Sequence, residues 1–86
     1  MANWFLYIVR GKDGSLYTGI TTDLDRRVLE HNTSNALGAK SLRAKRPVEP
    51  VYYEILPDHR AAAKREKSIK RWTRQYKLRL IEGFRP

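Results

Sequence analysis

From Arg60 to Arg79 the chain carries nine Lys or Arg residues and one carboxylate, Glu66. If this stretch is helical, Ala62, Glu66, Ile69, Thr73 and Tyr76 fall at i, i+4, i+7, i+11 and i+14, which is one face. It is the most apolar face available, so the spacing turns Glu66 inward and its basic neighbours outward. A carboxylate facing the body of a small protein must be paired, protonated or bound to a metal. Upstream, Leu24, Arg27, Val28 and His31 repeat the pattern at i, i+3, i+4 and i+7, which again sets polar groups among apolar ones. Snorkelling at the margin of an apolar stripe is the plain alternative for Arg27 and His31.

The chain that must position these groups has 86 residues and a net charge of +9. That length predicts a single domain over 1–86 with a modest core. The charge points to a polyanionic partner, nucleic acid or an anionic membrane surface, with a solubility surplus as the bland alternative. There is no cysteine, which excludes disulfides and thiolate metal sites. The two histidines, His31 and His59, are too far apart for a helical His-x-x-x-His zinc pair. The opening "MANWFLYIVRG" has a short apolar run ended by Arg10 and no basic segment before it. Neither a signal peptide nor a membrane span is expected, and the expected location is the cytoplasm.

Trp4 to Val9 is nearly continuous in apolar, aromatic and β-branched residues, and reads as a strand covered on both faces. Leu16 to Thr21 reads as the second arm of a hairpin. A two-residue Asp13-Gly14 turn would put Tyr7 and Tyr17 on opposite faces. A three-residue loop, Lys12-Asp13-Gly14 with Gly14 in the left-handed region, pairs Gly11 with Ser15, Val9 with Tyr17 and Tyr7 with Gly19. The second register, which puts both tyrosines on one face, is the expected one. Thr22 is the expected cap of a helix running to about Asn32, with Asp23 and Asp25 in its first turn. A helical turn is possible near Ser41 to Lys45, residues 51–55 read as a third strand, and Pro57-Asp58 opens the helix that holds Glu66. Trp72-Thr73 breaks that helix, and Thr73 caps a last one from Arg74 to about Glu82. The expected fold is α+β: a small three-stranded, mainly antiparallel sheet flanked by helices, in the order β-β-α-β-α-α.

"FLY" at 5–7, "YTG" at 17–19, Arg27, His31 and Glu66 together resemble the GIY-YIG nuclease domain. Each arm of a hairpin supplies a tyrosine, the next helix an Arg and a His, and a later helix a Glu. "LYTGITTDLDRRVLEHN", "GAK" at 38–40 and "REKSIKRW" resemble the small stand-alone bacterial YhbQ-like members of that superfamily, over essentially the whole chain. Phe5, Leu6 and Thr18 replace a glycine and two isoleucines of the motifs, and none of these is a reacting group. No asparagine follows Asn35, so the late asparagine of many members has no counterpart.

The resemblance implies metal-dependent hydrolysis of phosphodiester bonds in nucleic acid, DNA before RNA, with Tyr7, Tyr17, Arg27, His31 and Glu66 as the catalytic set. One Mg²⁺ or Mn²⁺ would be held by Glu66 and complete its shell with water and phosphate oxygens; without the ion, the carboxylate is expected to lie near Arg27 and the tyrosine-bearing face. Arg27 has the planar fork suited to phosphate. Tyr7 or Tyr17, with a slight preference for Tyr7, could be the base if its pKa falls well below about 10, and neutral His31 could take the proton onward. Gly19 would leave room beside Tyr7 for a water or phosphate oxygen. Lys40, Arg43, Lys45 and Arg46 in the loop, and Lys64, Lys67, Lys70 and Arg71 on the helix, are expected to position phosphates. Larger members carry separate recognition domains, so specificity here is expected to be low, structure-dependent or supplied by a protein partner. The competing reading is a non-catalytic nucleic-acid-binding module of the same fold. A membrane-surface protein ranks below both, because the apolar helix faces are needed to cover the sheet.

Overall fold

Leu6, Tyr7, Ile8 and Val9 are each exposed by 1% or less, as expected of a strand paired on both edges and covered on both faces. That strand, β1 (Trp4–Arg10), is the centre of an antiparallel sheet ordered β2-β1-β3, with β2 at Leu16–Thr21 and β3 at Glu49–Leu56. The structure is a computed structural model and describes residues 3–85. Three α-helices complete it: α1 (Leu24–Thr33), α2 (His59–Lys70) and α3 (Arg74–Glu82). The element order and the strand directions are the expected ones.

The hairpin takes the three-residue loop. Gly14 sits at φ 85°, where a side chain would be strained, and the Gly11 N–H donates to Ser15 O at 2.9 Å. Asp13 Oδ1 accepts from the Ser15 N–H at 3.0 Å and from its hydroxyl at 2.6 Å, which ties the loop down. Val9 therefore faces Tyr17 and Tyr7 faces Gly19, and both tyrosines lie on one face.

Alternation along β1 divides the core. Leu6 and Ile8 pack with Ile69 of α2 and with Leu80 and Ile81 of α3. Tyr7 and Val9 pack on the other face with Leu24 and Val28 of α1 and with Leu42, which a 3-10 turn at Lys40–Lys45 turns inward. The cap of α1 is Asp23 and not Thr22. Thr21 Oγ1 accepts from the Asp23 N–H at 3.1 Å, and Asp23 Oδ1 then accepts from the Arg26 N–H at 3.0 Å. Asp58 and Thr73 cap α2 and α3 as expected. Because α2 stops at Lys70, the face read from Ala62 to Tyr76 is not continuous: Ala62 and Ile69 are buried, whereas Tyr76 is 60% exposed. Arg65 turns from its basic neighbours towards β3 and stays only partly exposed. Its guanidinium grips Glu54 of β3 through three contacts of 2.9–3.1 Å and lies 5.3 Å from the Trp72 ring centroid. Among the described residues no helix is long and apolar enough to cross a membrane.

Candidate active site

The face that carries α1 gathers polar groups from three elements. Opposite Tyr7, Gly19 has no side chain, and a Cβ there would lie 2.5 Å from Tyr7 Oη and 2.7 Å from Cζ. The gap at Gly19 is therefore filled by the phenol itself, and not kept for a water or phosphate oxygen as the sequence suggested. The Tyr7 oxygen reaches α1 and lies 2.8 Å from His31 Nε2. Tyr17 sets its ring edge-on to His31 with centroids 5.3 Å apart, and 6.5 Å from that of Tyr7.

His31 is fully buried, and its other nitrogen, Nδ1, accepts the Ala39 N–H at 3.1 Å. A neutral imidazole carries one N–H, so the hydrogen-bond pattern assigns it to Nε2 and makes the Tyr7 oxygen the acceptor. Burial, helped by the positive charge of Arg27, lowers the His31 pKa to about 4. The expected onward transfer of a proton from tyrosine to His31 is thereby corrected. Nε2 already holds a proton, and Nδ1 faces a donor.

Arg27 stands one turn before His31 and beside the Tyr7 hydroxyl. It pairs with Glu30 at 3.0 Å and donates to Leu37 O at 2.6 Å. Burial pushes the Tyr7 pKa up to about 12; Arg27 opposes that rise, and Tyr17 and Glu66 add to it. Glu66 comes from the helix on the opposite face, yet its charge is felt at Tyr7. Its carboxylate pairs with Lys70 at 3.2 Å and not with Arg27, as had been expected in the absence of metal. The reason is local: Lys70 is one turn away on the same helix, and Arg27 is already held by Glu30.

Among the described residues no three His, Cys, Asp or Glu side chains converge on a possible metal position. Glu66 would thus be a single protein ligand. A lone hard oxygen, only a quarter exposed, fits Mg²⁺ or Mn²⁺ that keeps its waters and arrives with phosphate, and does not fit a tightly caged ion.

Of the basic residues expected to meet phosphate, Lys40, Arg43, Lys64, Lys67 and Arg71 are exposed, and Lys45 is half-buried. Lys70 is engaged by Glu66, and Arg43 donates to Asn35 O. Arg46 has a different task. Its Nε donates to His31 O at 2.6 Å, Nη1 to Asn35 Oδ1 at 3.0 Å and Nη2 to Ser34 O at 3.0 Å, which ties the end of α1 to the loop after it. That corrects its assignment to phosphate, because carbonyls orphaned at a helix C-terminus need donors. Sequence reasoning missed Glu30 and the Ala39 N–H. The Arg27/Glu30 spacing could have shown the first; a backbone donor leaves no side-chain signature, and "GAK" was legible only as a resemblance.

The GIY-YIG catalytic domain family matches residues 3–79. A UPF0213 protein of Staphylococcus saprophyticus is 47% identical over 81 residues, covering 94% of this chain and 96% of its own length. One from Desulfotalea psychrophila is 49% identical over 80 residues, 93% of this chain and 72% of the relative. The solution NMR structure of a UPF0213 protein from Bacillus halodurans is similar with a TM-score of 0.59 and 38% identity, over 93% of this chain and 83% of that one.

Proposed function

Because the chain belongs to the GIY-YIG family and, within it, to the UPF0213 proteins, we propose that it is a nuclease hydrolysing phosphodiester bonds of nucleic acid, DNA before RNA, with one Mg²⁺ or Mn²⁺. The observation that carries this reading is the Tyr7 oxygen, 2.8 Å from His31 Nε2 and beside Arg27. A phenol is useful as a base only as phenolate, and an N–H donor and a guanidinium both favour that form. Burial works against them, so Tyr7 rests protonated and acts as a base only after its own proton has left to solvent, because neither nitrogen of His31 can take it.

In this reading Tyr7 accepts a proton from the water that attacks phosphorus. Arg27, steadied by Glu30 and Leu37 O, turns its remaining N–H groups to the phosphate and to the charge that grows on it. Tyr17 packs edge-on against the His31 ring and helps to hold it in place. Glu66 holds the ion, which when bound supplies Lewis-acid stabilisation of the leaving oxygen. The exposed Lys40, Arg43, Lys64, Lys67 and Arg71 position the backbone without reading sequence. Specificity then depends on substrate structure or on a protein partner.

The test is a cleavage screen on single-stranded, nicked and branched DNA and RNA with Mg²⁺ or Mn²⁺. Glu66→Gln keeps the shape and removes the charge. It should fold, bind nucleic acid at least as well as the parent, and show no divalent-dependent cleavage. Cleavage at the parent rate would remove the central residue of this reading. Binding by the parent without cleavage of any substrate would favour the alternative of a binding module, in which Tyr7, raised to about 12, stays a neutral core phenol.

A further inference from the structure

A hydroxyl can either donate or accept, so Tyr7 is indifferent to the tautomer of His31. The Ala39 N–H is not indifferent, because an amide can only donate. We infer that the Gly38–Ala39 segment is a positioning device that fixes His31 as the Nε2–H tautomer and so makes the Tyr7 oxygen a permanent acceptor. The other tautomer would point Nδ1–H at the Ala39 N–H across 3.1 Å, and an imidazolium would do the same.

The segment is built to hold that donor still. Gly38 lies against the end of α1 so closely that a Cβ would come within 2.5 Å of Glu30 O, 2.7 Å of Ser34 O and 3.0 Å of His31 Cα. Its N–H donates to Ser34 O at 3.0 Å, and the Leu37 N–H donates to Ser34 Oγ at 2.9 Å. Arg27 takes Leu37 O and Arg46 takes Ser34 O, so the two cations that border His31 also clamp the loop that sets its tautomer. Gly38 and Ala39 are thus positioning residues that act on Tyr7 through His31. A fixed donor at the Tyr7 oxygen stabilises the phenolate over the neutral phenol.

The effect on cleavage rests on the nuclease reading; the tautomer rests on geometry alone and is measured without substrate. In ¹⁵N-labelled full-length protein, long-range ¹H–¹⁵N spectra should show His31 in one neutral form, protonated at Nε2 and bare at Nδ1, from pH 8 to pH 5. Replacing alanine 39 by lactic acid turns the amide into an ester and removes the donor with little change of shape. In that variant a second, Nδ1–H form should appear, and the His31 pKa should rise by about one unit. The other groups that face the ring (Tyr7, Tyr17, Arg27, Glu30 and Arg46) are unchanged by the ester. Gly38→Ala, which must lift the loop, should move both readings the same way.

An Nδ1–H ring in the parent protein, or an ester variant with the parental tautomer and pKa, overturns the inference. If the parent cleaves nucleic acid, the alkaline shift of its pH–rate limb in the ester variant provides a second reading. If it cleaves nothing, the nuclease reading fails and the spectra still decide this inference.

Discussion

Gly19→Ala is the smallest change that tests the site. Its methyl would have to share space with Tyr7 Oη and Cζ, which lie 2.5 and 2.7 Å from the added carbon. Tyr7 is buried on all sides, so its ring cannot simply swing into solvent. We expect a loss of about 1–3 kcal/mol in urea denaturation, together with displacement of Tyr7 from His31 and loss of cleavage. A variant as stable as the parent, with unchanged His31 ring signals, would show that the crowding is relieved elsewhere. At this scale the sequence told directions better than partners. Alternation and one glycine turn placed Tyr7 and Tyr17 together, and helical spacing turned Arg27 and His31 inward. The same spacing could not say which cation Glu66 meets. Its partner is Lys70 and that of Arg27 is Glu30, both within one turn, where short tethers outcompete a long-range pair. Gly19 was read correctly as a place without a side chain and wrongly as a place for solvent.

Between elements, the Glu54–Arg65 pair is the firmest polar link from β3 to α2. Arg65→Ala should cost about 1–3 kcal/mol, between the values for surface pairs and for buried ones. Its pH signature has a definite sign. Burial raises the Glu54 pKa, but Arg65 and Tyr52 outweigh it and hold the carboxyl below 4.5. That contribution is complete above pH 4.5 and is lost as pH falls through the depressed folded value. Acid unfolding of Arg65→Ala should accordingly show a shallower loss of stability below pH 4.5 than the parent; equal slopes would mean that the pair adds nothing there. The elements were mostly legible: Gly14 fixed the register, Asp58 and Thr73 announced two helices, and Lys12 to Gly14 the turn. Arg65 was not legible, because one arginine in a run of basic residues looks like its neighbours until β3 supplies a carboxylate. The cap of α1 was missed by one residue for a similar reason. Thr22 and Asp23 are both good caps, and the choice is made by the hydroxyl of Thr21.

For the molecule as a whole, a charge of +9 on 86 residues predicts nucleic-acid affinity that falls steeply with salt. Lys64→Glu and Lys67→Glu should each flatten the slope of log K against log salt by about one. Arg46→Gln should leave the slope nearly unchanged and lower the melting temperature, because that arginine serves the end of α1; the reverse result would return Arg46 to the phosphate-binding surface. The order β2-β1-β3 also bears on synthesis. The middle strand is the earliest of the three to leave the ribosome, and "WFLYIV" offers two sticky edges to its surroundings. β2 can close one edge almost at once through the short hairpin. The other stays open until residue 56 has emerged, a wait of some seconds at about 5–20 residues per second. During that interval the nascent chain is a template for β-pairing with its neighbours, and Arg10 and Lys12 are the nearest charges able to discourage it. Newly made copies on one messenger are therefore at greatest risk of sticking together in the interval before β3 has emerged.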